Sequence, residues 1–250
     1  MKKQKNRLEQ EQAQTILQNN KTIVCLKWGE KYPAHYVNVL YNMCRRHSTI
    51  PFDFVCMTDN PRGLLPEIKI KGLPLAHFQG WWFKPYVFSQ DLALTGQVLF
   101  LDLDVVIFDN IDKLWGYYPN EFLIIRDFTR HMNPSWQKFN SSVFRFNAET
   151  SHWIWDVFSK NHRNIIPKNH GDQDFLYTML RDRAKHWPDE WIRSYKWEMR
   201  DKHDLSVVNG KRNFAQDKPP RIEPESCIAV FHGEPNPADC RDSWVIENWK

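Results

Sequence analysis

Short apolar runs alternate with amphipathic stretches along this chain, and that rhythm sets the first expectations. Thr22–Leu26 (TIVCL) is apolar and β-branched, the signature of a buried strand. Pro33 suits a helix start, and Val37, Leu40, Tyr41 and Cys44 follow at helical spacing. Arg45, Arg46 and His47 fit the C-terminal end of that helix. Asp53–Met57 (DFVCM) predicts a second strand, and strand–helix–strand favours a parallel pair with a right-handed crossover. The Pro- and Gly-rich stretch from Pro61 to Gly80 predicts loop around one weak strand, Glu67–Ile70.

Farther on, the pattern predicts a helix over Trp82–Leu94 and a central strand over Gln97–Leu101 (QVLFL). Further strands are expected at Phe122–Ile125, Ser142–Phe146 and Ile228–Phe231. Helices are expected at Ser151–Ser159, with an aromatic face, and at Asp172–Arg183, which opens on acids. Strands alternating with helices predict an α/β fold with a mostly parallel central sheet flanked by helices. Ligands gather at the C-terminal ends of strands in such sheets. Residues 1–20 are polar and predict a frayed tail or loose surface helix, and 21–250 a single domain.

Composition narrows this picture. With 250 residues and 42% apolar content, the chain is globular and long enough for a real core. A net charge of +4 is mild, and no basic stripe with interleaved aromatics suggests a nucleic-acid groove. Twelve tryptophans, many beside Lys, Arg or Pro, fit either core margins or a groove for a flat ligand. Five cysteines without CxxC spacing predict reduced, buried thiols in a cytoplasmic protein. No apolar leader or membrane-length run is present, so the expected location is cytoplasmic, with a peripheral contact on the inner membrane face left open.

The chemistry concentrates where the central strand runs into Asp102-Leu103-Asp104. In extended chain two such acids point the same way, with α-carbons about 6.6 Å apart. Paired carboxylates after an apolar strand call for compensation, and a hard cation, Mn²⁺ or Mg²⁺, supplies it while keeping positions open for phosphate oxygens. The alternative is two separate caps or salt bridges on a loop. His232 ends a late strand, where a lone histidine is more often a capped surface residue. Asn140, Ser141 and Ser142 precede a strand and by themselves fit ordinary turn chemistry. Asp172, Gln173 and Asp174 stand at a helix start, where capping alone would place acids.

The segment VLFLDLDVVIFDNIDKLW resembles the Asp-x-Asp region of GT-A glycosyltransferases, and more closely family 8 and its bacterial relatives. The likeness runs through CLKWGEKYPAHYVNVLYNMCRRH, GWWFKPYVF, FNSSVFRFN, GDQDF and FHGEPNP, in that order. It implies a GT-A nucleotide-diphospho-sugar transferase fold. It implies transfer of a sugar, with retention, from a nucleotide-sugar, by analogy UDP-linked and hexosyl. The acceptor would be a hydroxyl on a glycan, lipid-linked or protein substrate, in bacterial glycan or lipopolysaccharide synthesis.

By resemblance, Asp102, Asp104 and His232 would hold the metal, and Asp172 and Gln173 would sit beside the transferred sugar. Lys27, Trp28, Tyr32, Lys84, Asp102, Leu103, Asn140, Ser141 and Gly233 would line the donor. The family usually has Lys-Pro after the histidine, where this chain has Asn236-Pro237. The competing expectations are a haloacid-dehalogenase-like phosphohydrolase, with the first Asp as nucleophile, and a sugar nucleotidyltransferase. A non-catalytic carbohydrate-binding domain is the third. The phosphohydrolase fits poorly, because two strands precede the acidic pair and Val105-Val106 follows it. The nucleotidyltransferase expects a Gly-rich loop after the first strand, and Gly29 alone does not make one.

Overall fold

The computed structural model describes residues 20–208, 210–214 and 217–250. The expected tail, except Asn20, lies outside them. In chain order the main elements are β1 (Lys21–Lys27), α1 (Ala34–His47), β2 (Asp53–Thr58), β3 (Lys69–Gly72), β4 (Gln97–Leu101) and β5 (Val105–Ile107). Then come α2 (Lys113–Gly116), β6 (Leu123–Arg126), β7 (Phe139–Asn147), α3 (Ala148–Ser151), α4 (Trp153–Ile165) and α5 (Asp172–Leu180). The C-terminal part holds β8 (Lys185–His186), β9 (Ile192–Ser194), β10 (Leu205–Val208), β11 (Lys211–Phe214), β12 (Ile228–Val230) and α6 (Ser243–Asn248).

Seven strands form the main sheet in the order β3-β2-β1-β4-β7-β6-β8. β3, β2, β1 and β4 run parallel, and β7 alone is antiparallel to both its neighbours. Alternation along the strands builds two cores. Ile23, Cys25, Cys56, Leu99 and Leu101 face α1, while Val24, Leu26, Val55, Val98 and Phe100 face residues 80–88, α4 and α5. This is the mostly parallel α/β sheet expected from the sequence.

Two local outcomes depart from the periodicity. The segment Gly80–Phe88 is a 3₁₀ helix rather than the first turns of an α-helix. Pro85 lies inside it, has no N–H to give, and crowds the preceding turn, which favours the tighter winding. Gly80 starts it at φ +73°, and a Cβ there would lie 3.4 Å from the Trp28 ring. The second departure is a three-stranded sheet, β5-β12-β9, that the pattern did not announce. β5 pairs antiparallel with β12, and β12 parallel with β9. The chain passes from large sheet to small sheet through the turn Asp102–Asp104.

Asp112 ties the end of α1 to the start of α2. Its carboxylate accepts hydrogen bonds from Ser48 Oγ (2.8 Å), Thr49 Oγ1 (2.5 Å) and Asn110 Nδ2 (3.2 Å). Partial burial pushes its carboxyl up, but the donors from Thr49, Ser48 and Asn110 outweigh that and hold it down at about 2. Asp112→Ala is expected to cost about 1–2 kcal/mol, tempered by solvent at this rim. A depressed folded value means the stabilisation is present above the unfolded value near pH 4 and is lost as pH falls through about 2. Thermal unfolding of variant and wild type should therefore converge as pH falls from about 4 to about 2.

All five cysteines are free and buried, and burial holds the thiols of Cys25, Cys44, Cys227 and Cys240 above their ordinary range. Among the described residues no helix is long and apolar enough to cross a membrane.

Candidate functional site

A cleft of about 510 Å³ opens where the C-terminal ends of the central strands meet the small sheet. Leu26 and Trp28 extend β1 into it, and Lys31 and Tyr32 follow on the next loop. Lys27 was expected beside the donor, and it is not part of the wall. Strand alternation turns it away, and its ammonium meets the carbonyls of Gly29 and Asn60, both at 3.4 Å.

Asp102, Leu103 and Asp104 form the floor. They make a turn rather than extended chain, yet the parity survives: Leu103 is buried in the core and the two acids meet the cleft. The turn is pinned on both sides. Asp102 N donates to Ser142 O at 2.9 Å, and Phe231 N donates to Asp104 O at 2.9 Å. That second bond, between the strands β5 and β12 leave and enter, is why His232 and Gly233 reach the same cleft.

A register shift between Ile124 and Ile125, where β6 pairs with β7, bulges the facing stretch of β7. Asn140, Ser141 and Ser142 thereby line the cleft. The N-terminus of α5 brings Asp172, Gln173 and Asp174 to the opposite wall, beside His170 and Gly171. Trp81 stands over Gly171 and is half-exposed at the lip. Trp81, Lys31, His170 and Asp174 were not singled out from the sequence as cleft residues. Trp81 and Lys31 lie in the same short segments as Lys84 and Tyr32, which was the available signal.

Lys84 is the hub. It is buried, and its ammonium meets Asp102 Oδ1 at 2.9 Å, Asp102 Oδ2 at 3.0 Å, Ser141 Oγ at 3.1 Å and Asp172 Oδ2 at 3.4 Å. Ser141 Oγ also donates to Asp172 Oδ2 at 2.6 Å. Burial opposes the charge on Lys84, but Asp102 and Asp172 outweigh it, so its pKa stays above the ordinary lysine range. Asp172 is raised by burial, with Lys84 and Ser141 pulling the other way.

Asp104 receives less help. Burial first, and then the charge of Asp102, hold its carboxyl well above the usual range, and its hydrogen bond comes from Tyr32 OH at 3.2 Å. Tyr32 is itself raised by burial and by Asp104, so it remains a donor. An acid in this condition is relieved by a proton or by a cation.

The donor set fits a hard divalent ion in part. Asp102 and Asp104 offer carboxylate oxygens on one floor, with the rest of the cleft open to a ligand. The expected third member does not join them. His232 Nε2 lies 2.5 Å from Ser194 Oγ, its ring stacks on Phe128, and burial followed by the Lys196 charge lowers its pKa to about 3. Among the described residues no three His, Cys, Asp or Glu side chains group as a metal set. The two acids and the histidine share a cleft; they do not form a closed coordination shell.

Comparisons with known proteins agree on the fold. No family model matches the chain, and no curated protein matches it in sequence. Among solved structures, the apo form of the glycosyltransferase GlyE from Streptococcus pneumoniae TIGR4 is similar with a TM-score of 0.61 at 17% identity, over 92% of this chain and 61% of GlyE. An active-site mutant of LgtC is similar with a TM-score of 0.60 at 14% identity, over 90% of this chain and 93% of LgtC. The galactosyltransferase LgtC in complex with donor and acceptor sugar analogues gives 0.56 at 15%, over 86% and 88%. The chain therefore has the GT-A-type fold of glycosyltransferases, as the resemblance implied.

Proposed function

From a chain with the GT-A-type fold and this cleft, we infer a metal-dependent glycosyltransferase that moves a sugar from a nucleotide-sugar to a hydroxyl acceptor. One observation carries the reading: Asp102 and Asp104 flank the buried Leu103 on the floor of the cleft, opposite Asp172 and Gln173. In that place the two acids would hold Mn²⁺ or Mg²⁺, whose chemistry is to offset charge on the departing diphosphate.

The protein's own groups do the rest by position. Trp28, just past β1, and Tyr32, on the loop that follows, offer faces for the nucleobase. Lys84 fixes Asp102 and Asp172 in register, so the floor and the α5 wall move as one unit. Asn140 and Ser141 present amide and hydroxyl groups to the sugar. One Asp172 oxygen is held by Ser141 and Lys84, which opposes the upward push of burial and orients the carboxylate toward its role beside the sugar. In the transfer, the bond from the anomeric carbon to the diphosphate oxygen breaks and its electron pair leaves with the diphosphate. The acceptor oxygen bonds to that carbon, and its proton passes to the released diphosphate or to water. UDP as the nucleotide, a hexosyl group, retention of configuration and a glycan, lipid-linked or protein acceptor in bacterial glycan synthesis complete the proposal.

The test is direct. The protein is incubated with Mn²⁺ or Mg²⁺ and a panel of nucleotide-sugars, and release of nucleoside diphosphate is measured. At least one donor is expected to turn over, and chelation is expected to stop it. Turnover of an aryl phosphate alone would favour a phosphohydrolase and overturn the reading.

A further inference from the structure

A diphosphate needs positive charge beside it, and the cleft is short of it. Four acids line the wall, Asp102, Asp104, Asp172 and Asp174, against two lysines, Lys31 and Lys84. Lys84 is consumed by Asp102 and Asp172. Lys138 pairs with Asp174 at 2.7 Å. The stretch Gly233-Glu234-Pro235-Asn236-Pro237, after His232, has no cation of its own.

One ammonium lies just behind that stretch. Lys196 projects from a π-helical turn, Tyr195–Met199, and its Nζ lies 3.0 Å from where a Cβ on Gly233 would stand. It is half-buried, and among the described residues it makes neither a hydrogen bond nor an ion pair within 4 Å. Its surroundings are mixed. Arg212 opposes its charge, while Glu234 and, more weakly, Asp104 favour it. Burial and Arg212 lower its pKa, so an anion arriving there would relieve a cost already present.

The local structure aims this side chain. π-turns are rare and frequent at functional sites. This one is fixed at both ends: Ser194 Oγ accepts from Trp197 N at 3.2 Å, and Arg200 N donates to Tyr195 O at 2.8 Å. Trp197 packs edge-on against the His232 ring, centroids 4.9 Å apart, which locks the turn to the rim of the cleft. Gly233 has φ +86°, and a side chain there would stand against the ammonium. Gly233 itself lines the cleft, so only that glycine stands between the ammonium and the lining.

We propose that Lys196 is the cation that receives the diphosphate of the donor at the His232–Gly233 rim. The proposal rests on the function inferred above. It assigns the phosphate contact to the β9–β12 excursion, a segment that carries none of the motifs from which the donor site was read.

Calorimetric titration in Mn²⁺ tests it. Wild type is titrated with uridine, guanosine and adenosine diphosphates, and the tightest is carried forward with its parent nucleoside. Lys196→Met should weaken the diphosphate at least tenfold and leave the nucleoside unchanged. Lys196→Arg should recover most of the loss, and neither variant should shift the thermal midpoint. Unchanged diphosphate binding in Lys196→Met, or equal weakening of diphosphate and nucleoside, overturns the assignment while the functional reading stands. A wild type that binds none of the three diphosphates overturns that reading and this assignment with it.

Discussion

Replacing Asp104 with Asn is expected to abolish metal-supported donor turnover while leaving the protein as stable as before, or more so. The loss should reach roughly a thousandfold, since forfeiting the cation's share of charge stabilisation corresponds to about 4 kcal/mol. The stability side follows from the sign of the shift. Burial and Asp102 raise the folded pKa of Asp104 above its unfolded value, so ionising it at neutral pH works against folding. That penalty is absent below the unfolded value near pH 4 and grows as pH rises through the folded one. Asn removes it and still accepts from Tyr32. Wild type should gain thermal stability when Mn²⁺ is added, and Asp104→Asn should not. A variant that turned over donor normally would end the metal role.

Lys84→Met should do the opposite for stability: it should weaken the fold as well as abolish turnover. Removing the ammonium leaves Asp102 and Asp172 facing each other in a buried site with one hydroxyl donor between them. Breaking a buried ion cluster by deleting one partner costs about 3–5 kcal/mol, or on the order of 10 °C in a chain of this size. The deficit should depend on pH. The folded pKa of Asp172 is already raised by burial, and Lys84 is the first of the groups that oppose this. Without Lys84 it rises further, so the variant should approach wild type near pH 4 and fall behind as pH increases toward 8. Thermal unfolding across that range measures it. A deficit that stays flat with pH would place the damage in packing rather than in the carboxylates.

How far the sequence led depended on the range of the interactions involved. β1, α1, β2 and β4 were legible because their apolar spacing is set by the sheet's own faces. The Asp102–Leu103–Asp104 alternation was legible for the same reason, and it survived the change from strand to turn. Lys27 was misread because the motif was taken as a block, whereas counting outward from Leu26 and Trp28 would have turned it away from the donor. The 3₁₀ winding of Gly80–Phe88 was announced by Pro85 and not used. An Asn209-Gly210 pair between short runs signalled a hairpin where β10 and β11 now lie. Of the small sheet only β12 was legible, from the apolar run Ile228–Phe231; β5 and β9 are three residues each, and the sheet forms only through long-range pairing. The partner that occupies His232 is equally non-local: Ser194 ends β9, and nothing near either residue in sequence joins them.

β9 and β12 are parallel neighbours, so the chain between them leaves the small sheet past Ser194 and crosses back to re-enter at Ile228, which pairs with Ile192 at the other end of β9. The excursion is held inside as well as at its ends: β10 pairs with β11, Tyr195, Met199 and Phe214 are buried in the core that includes α1, and Asn213 Nδ2 donates to Asp239 O at 2.6 Å. A change of length or charge in this excursion would therefore be felt at the rim of the cleft, because Trp197 packs on the His232 ring and the Lys196 ammonium lies against Gly233.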